Sequence, residues 1–173
     1  MTTFVALLYS IVLPNGRLIM ADLKDVAASL HLENPRTVLA TGNLIFEADA
    51  SVSDLESRLE KAFAARFGKH IDFIIRTRVD WQKLVTANPF REDAPERIMV
   101  RVQREPLPDG TLQMLERYRP EGDEIRLVNG DLWAKFAGKP SDSRLLSALT
   151  PKKLGVGTSR IWNTVRRIGE ALT

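Results

Sequence analysis

Hydroxyl and basic side chains follow two glycines near the end of the chain, in GVGTS (155–159) and the adjoining Arg160. We predict that the last helix begins at Thr158 or Ser159 and runs to about Ala171, with a basic outer edge. The first N–H groups of a helix have no partner within it, and the helix dipole favours negative charge there. The stretch therefore predicts a site for an anion, to which the Arg160 guanidinium adds a bidentate contact.

A second predicted helix start, GKPSDS (138–143), carries similar side chains. The amide of Asn163 is costly to bury without a hydrogen bond, so it is assigned either to the ligand or to support of the loop. The candidate ligand-binding residues are Lys139, Ser141, Arg144, Thr158, Ser159, Arg160 and Asn163. Neither stretch is a Walker or G-x-G-x-x-G sequence, and the alternative is that the hydroxyls only cap helices.

The distribution of charge also indicates an anionic partner. The chain has a net charge of +3, yet the segment from residue 141 to the end holds six basic and only two acidic side chains. A basic segment of this kind suits a phosphate-bearing small molecule or a nucleic acid. The alternative is a solvated helix face with no partner.

The sequence offers no catalytic pair and no metal-ligand pattern. It has no cysteine, and its two histidines, His31 and His70, have no carboxylate spacing that predicts a metal site. A G-x-S-x-G elbow is absent, and the carboxylates of REDAPER (91–97) lie in a polar loop that would not raise their pKa. We therefore expect neither a metal nor a cofactor, and whether the protein is an enzyme stays open.

No apolar stretch is long enough to span a membrane, and the N-terminus has no basic residue before its apolar run. Hydrophobic residues make up 44% of the chain and charged residues 27%, as in a soluble globular protein. We expect a cytoplasmic protein with no membrane contact.

Hydrophobic spacing divides the first half of the chain into six elements. We predict a strand over 4–13 stopped by PNG, a helix over 20–32, a hairpin over 36–48 turning at Thr41-Gly42-Asn43, a helix over 55–67 capped by Ser53, and a strand over 71–77. The order strand, helix, strand, strand, helix, strand is the split βαβ, or ferredoxin-like, pattern. Residues 1–77 are thus the first predicted domain.

Residues 78–173 form the second predicted domain. Its predicted elements are a helix over 79–87, a half-exposed strand over 98–103, a helix over 107–118, a hairpin over 123–136 with Asn129-Gly130 at its tip, one or two short helices over 143–155, and the last helix. The fold class is α+β: two packed subdomains of ferredoxin-like type, antiparallel sheets with helices on one face, and a C-terminal helix. Within that helix Ile161, Val165 and Ile168 form a core-facing stripe, and Trp162 is predicted to be buried.

Several stretches stand together in an order typical of one family: FVALL, IMADLK, TGNLIF, ANPF and KKLGVGTSRIWNTVRRI. The chain resembles the bacterial domain-of-unknown-function 1697 family over essentially its whole length. The resemblance implies two α+β subdomains of ferredoxin-like character and implies no activity. The chain resembles a divergent member, because residues typical of the family are replaced by Tyr9, Ser10, Leu146, Ser147 and Ile161. If those positions carry the family's function, its specificity is changed or lost here.

Two functions follow as alternatives. The first is a binding module for a phosphate-bearing or other anionic ligand, with a nucleotide or a nucleic acid among the candidates. The second is a non-catalytic interaction or scaffold protein, which meets another protein through a strand edge or through its basic tail.

Overall fold

The computed structural model describes residues 1–8, 12–13, 16–17 and 20–173, and the side chains of 1–8 and 20–173. Within these residues the chain forms two compact units, one of Met1–Lys83 with Arg167–Thr173 and one of Leu84–Arg166. Each holds a four-stranded antiparallel sheet with helices, so the predicted α+β class is confirmed. The domain boundary after residue 77 stays a prediction. No described helix has the length and apolarity to cross a membrane.

The first unit follows the predicted order, with a two-stranded ribbon added after the first strand. Its elements are β1 Thr2–Leu8, β2 Val12–Leu13, β3 Gly16–Arg17, α1 Met20–Ser29, β4 Glu33–Thr37, β5 Asn43–Ala48, α2 Val52–Phe67 and β6 Phe73–Thr77, and α3 Arg78–Thr86 follows. The sheet has the order β4-β5-β1-β6, and β2 pairs with β3. Residues 9–11 and 14–15, within the predicted first strand and its stop, lie outside the described residues.

The spacing of apolar residues in α2 and the residues at its two ends explain why this segment is a helix with these bounds. Leu55, Leu59 and Phe63 lie on one face and are buried in the core of the unit. The helix begins one turn earlier than predicted, because the hydroxyl of Ser51, rather than that of Ser53, accepts a hydrogen bond from the backbone N–H of Asp54. Gly68 ends the helix in the left-handed conformation.

The predicted hairpin at Thr41-Gly42-Asn43 is confirmed, since β4 pairs with β5 across it. The buried amide of Asn43 donates to the Val38 carbonyl at 2.9 Å and to the Thr41 hydroxyl at 2.7 Å. Gly42 has a φ of +77°, and its carbonyl accepts a hydrogen bond from the N–H of Leu8 at 3.1 Å. The turn is therefore fixed both by side-chain bonds and by the end of β1.

The second unit repeats this topology. Its elements are β7 Ile98–Gln103, α4 Thr111–Leu115, β8 Glu124–Val128, β9 Asp131–Lys135, α5 Arg144–Ala148, α6 Pro151–Leu154, β10 Gly157–Ile161 and α7 Trp162–Ala171, with 3-10 turns at Pro95–Arg97, Glu116–Tyr118 and Pro140–Asp142. The last residues of α7 belong to the first unit. The sheet order is β10-β7-β9-β8, so in both sheets the second, third, first and fourth strands along the chain lie side by side in that order. The hairpin at Asn129-Gly130 is confirmed, with both residues at positive φ.

The predicted start of the last helix is wrong. Residues 157–161 form β10, which pairs with β7 from Gly157 opposite Gln103 to Ile161 opposite Met99, and α7 begins only at Trp162. Strand pairing is favoured over a helix start at these residues, although they carry helix-capping side chains. The hydrogen bonds between paired strands satisfy backbone N–H groups that the first turn of a helix would leave unpaired. Ile161, predicted to face the core, is consequently exposed, whereas Trp162 is buried as predicted.

The prediction that β7 is half-exposed is also wrong, because all six of its residues are buried. The Arg101 guanidinium donates to the carbonyls of Leu149 at 3.3 Å and Gly155 at 3.1 Å. The side-chain amide of Gln103 donates to the Leu154 carbonyl at 2.7 Å. Polar residues that alternate with apolar ones therefore bind backbone carbonyls inside the unit rather than facing water.

Gly42→Ala is expected to lower the free energy of unfolding by about 2 kcal/mol. Its new Cβ would stand in a left-handed conformation, 3.1 Å from both the side chain and the carbonyl oxygen of Leu8. Urea denaturation of this variant beside Gly138→Ala measures the effect, since nothing lies within 4 Å of a Cβ built at Gly138. Equal free energies of unfolding for the two variants would show that the left-handed conformation and close packing of Gly42 do not matter for stability.

Trp162→Ala is expected to lower the free energy of unfolding by about 3–5 kcal/mol, as for a large core aromatic. The indole of Trp162 packs against that of Trp133, with ring centroids 5.8 Å apart. The neighbouring Ile161, 42% exposed, supplies the control, and Ile161→Ala is expected to cost about 0.5 kcal/mol. A small loss for Trp162→Ala in the same denaturation series would show that the ring contact does not stabilise the fold.

Candidate functional site

Three of the predicted site residues meet in β10, where two of them are buried. The Arg160 guanidinium donates to the Thr158 hydroxyl at 2.7 Å and to the Ser159 carbonyl at 2.9 Å. Thr158 and Arg160 are only 2% and 7% exposed, so their polar groups bind one another inside the protein. The argument from a helix N-terminus does not apply, since these residues belong to a strand.

Asn163 has a hydrogen-bond partner within its own helix. It is half-buried in the first turn of α7, and its side-chain oxygen accepts a hydrogen bond from the guanidinium of Arg166. This contact, between residues three apart on one helix, satisfies the amide locally. The assignment of Thr158, Ser159, Arg160 and Asn163 to a ligand stays a prediction.

Lys139 and Ser141 are exposed, and Arg144 is exposed at the start of α5. The hydroxyl that caps α5 belongs to Ser143, which accepts from the N–H of Leu145 at 3.1 Å and donates to Asp123 at 2.7 Å. The buried Asp123 carboxylate also accepts from the N–H of Ala137 at 2.9 Å. One buried carboxylate thus fixes the loop that presents the exposed side chains.

Arg144 belongs to a cluster of three cations that contact one residue, here named the Tyr118 patch: Arg117, Tyr118, Arg144 and Lys153. The Arg117 guanidinium carbon and the Lys153 ammonium nitrogen each lie 5.3 Å from the centroid of the Tyr118 ring. The Arg144 Nε donates to the Tyr118 carbonyl at 3.3 Å. The ring itself is half-buried and packs against the core of the second unit.

The positive charges of the Tyr118 patch are not neutralised by ion pairs. Among the described residues, no carboxylate forms an ion pair with Arg117, Arg144 or Lys153. The nearest acidic residue along the chain, Glu116, is bound instead by the guanidinium of Arg119, whose Nε lies 3.0 and 2.9 Å from its two oxygens. The patch therefore presents three cations and a ring to the solvent side of the second unit.

A shallow cleft of about 330 Å³ beside this patch is lined by Leu112, Glu116, Arg119, Asp123, Glu124, Ile125 and Arg126. The hydrogen bond from Arg119 lowers the pKa of Glu116, and the hydrogen bond from Lys135, at 2.9 Å, lowers the pKa of Glu124. Both carboxyls are consequently ionised near neutral pH, and neither is suited to donate a proton as a general acid.

Sequence reasoning found Arg144 but missed Tyr118, Arg117 and Lys153. The signals were present, as a basic residue beside an aromatic in ERY (116–118) and as paired lysines in PKKL (151–154). Their meeting depends on the approach of α6 to the 3-10 turn at Glu116–Tyr118, which no local pattern encodes.

The Lys135→Met variant is expected to raise the pKa of Glu124 toward its ordinary value, since the hydrogen bond that lowers it is removed. A lowered pKa stabilises the fold above the unfolded-state pKa, and the contribution is lost as pH falls through the folded-state value. Carboxyl NMR titration measures the shift, and Lys24→Met on α1 is the control. An unchanged pKa of Glu124 in Lys135→Met would show that the hydrogen bond from Lys135 does not lower it.

Comparison with known proteins supports the fold and leaves the activity open. The family model described as protein of unknown function (DUF1697) matches residues 1–133, and its match ends before the KKLGVGTSRIWNTVRRI stretch. No curated protein matches the chain. The conserved bacterial protein SP0830 from Streptococcus pneumoniae has a similar fold, with a TM-score of 0.79, 21% sequence identity and 99% of each chain covered. The chain therefore belongs to the DUF1697 family of proteins of unknown function.

Proposed function

We propose that the protein binds a phosphate-bearing ligand, and that the Tyr118 patch is the surface that contacts it. The observation that carries the proposal is that Arg117 and Lys153 lie over the Tyr118 ring and Arg144 binds the Tyr118 carbonyl, all three without a carboxylate partner among the described residues. Exposed cations of this kind attract phosphate through charge-assisted hydrogen bonds.

The ring orders the cations without cancelling their charge. A cation over an aromatic face is attracted by the ring quadrupole, yet it keeps its full charge toward solvent, unlike a cation in an ion pair. Arg117 and Lys153, which come from different elements, are held together in this way. A ligand with two or more phosphates can therefore contact several cations whose side chains are already partly ordered.

Lys139 and Ser141 are exposed on the loop before Arg144, which hydrogen bonds to Asp123 hold in place. We include both residues in the proposed ligand-binding surface. Two arginines favour planar, bidentate contact with phosphate, while a lysine acts as a point charge. Because successive phosphates along a strand match a row of separated cations, a single-stranded nucleic acid is the ligand class we favour over a mononucleotide.

An interaction or scaffold role is the second candidate. The observation that favours it is Ile161, a large apolar side chain that is 42% exposed on β10, the terminal strand of its sheet order. An apolar side chain at such a place suits contact with another protein. The cytoplasmic location stays a prediction with either function.

The triple variant Arg117→Gln/Arg144→Gln/Lys153→Gln is expected to weaken binding of a labelled single-stranded DNA of roughly 20 nucleotides by 10-fold or more at low salt. The salt dependence should also become shallower, because each lost phosphate contact lowers the slope by about one. Fluorescence anisotropy over a series of salt concentrations measures both quantities.

The control is the triple variant Lys24→Gln/Lys61→Gln/Lys69→Gln, which removes the same charge from exposed sites of the first unit. It should bind nearly as the parent protein does. Equal weakening of the two variants would show that net charge alone drives binding. Absence of binding by the parent protein, together with no thermal stabilisation by nucleotides or phosphosugars, would overturn the proposal and favour the scaffold role.

A further inference from the structure

The segment between α2 and β6 presents two potential metal ligands on one side. After Gly68 ends α2, the chain passes through His70, Ile71 and Asp72 before β6 begins. Ile71 is buried in the core of the first unit, whereas its neighbours are exposed (His70) and partly exposed (Asp72). The Nε2 atom of His70 lies 2.9 Å from a carboxylate oxygen of Asp72.

Helix α2 supplies a third ligand. Glu60 follows the buried Leu59, and one of its carboxylate oxygens accepts a hydrogen bond from the N–H of Phe73 at 3.2 Å. This bond holds the carboxylate over the start of β6. Each of Glu60, His70 and Asp72 offers one ligand atom, and these three atoms lie within 4.8 Å of one another.

We propose that Glu60, His70 and Asp72 bind a divalent cation of the Zn²⁺ type. Bonds of about 2.0–2.2 Å to one ion place neighbouring ligand atoms about 3–3.5 Å apart, so the three atoms need only small rotamer shifts to converge. Two carboxylates balance the charge of the ion. The imidazole favours Zn²⁺ over Mg²⁺ or Ca²⁺, which prefer oxygen ligands alone.

The side chains of His70 and Asp72 are 62% and 32% exposed, so an ion can reach the site and keep water as its remaining ligand. The ion would replace the hydrogen bond between His70 and Asp72. It would also join α2 to the segment just before β6 and so stabilise the first unit. Sequence spacing missed this set because Glu60 lies ten residues before His70, on another element.

Isothermal titration of tag-free protein with Zn²⁺ tests the proposal. The expected result is one site, at which His70→Ala and the isosteric Glu60→Gln each weaken Zn²⁺ binding by 10-fold or more. His31→Ala is the matched control, because His31 is the other histidine of the chain and is also exposed. Zn²⁺ should raise the melting temperature of the parent protein and of His31→Ala, but not that of His70→Ala.

A parallel titration with Mg²⁺ should give affinity at least 100-fold weaker. Circular dichroism of each variant without metal checks that it is folded, and amide NMR shifts of the parent protein locate the ion. Shifts away from 60, 70 and 72, equal affinities of His70→Ala and His31→Ala, or no Zn²⁺ binding up to millimolar concentration would each overturn the proposal.

Discussion

The guanidinium of Arg101 is the contact on which the second unit most depends. It is buried on the central strand β7, and it donates to the carbonyls of Leu149 and Gly155, at the ends of two helices of five and four residues. Helices this short are not stable alone, and their last carbonyls need partners. Arg101 supplies those partners from the sheet and thereby fixes the segment that presents Arg144 and Lys153.

Gln103 extends the same arrangement, since its amide donates to Leu154. The two side chains occupy alternate positions of β7 and so face the same side of the sheet. The alternation of polar and apolar residues in β7 predicts a half-exposed strand. The strand is instead buried, and its polar side chains donate hydrogen bonds to backbone carbonyls.

Local patterns predict much of the fold and little of the candidate site. The hairpins at Gly42 and Gly130 follow from turn residues, and the stripe of α2 follows from apolar spacing, because each depends on neighbours within one element. Local signals predict a helix start where β10 lies, because Thr158 and Ser159 are good caps and the partner strand is more than fifty residues away along the chain. The Tyr118 patch joins residues that are 35 positions apart, so its existence depends on tertiary packing.

Gly155 and Gly157 are each required, but for different physical reasons. Gly155 has a φ of +77° and a ψ of −171°, a conformation essentially restricted to glycine, so any side chain there would strain the backbone although the space around it is open. At Gly157 a Cβ would lie 2.4 Å from the Gln103 side chain and 2.9 Å from the Val102 carbonyl oxygen. A smaller residue at position 103 would remove the first clash but not the second, so position 157 should stay glycine among relatives that pair β10 with β7 in this register.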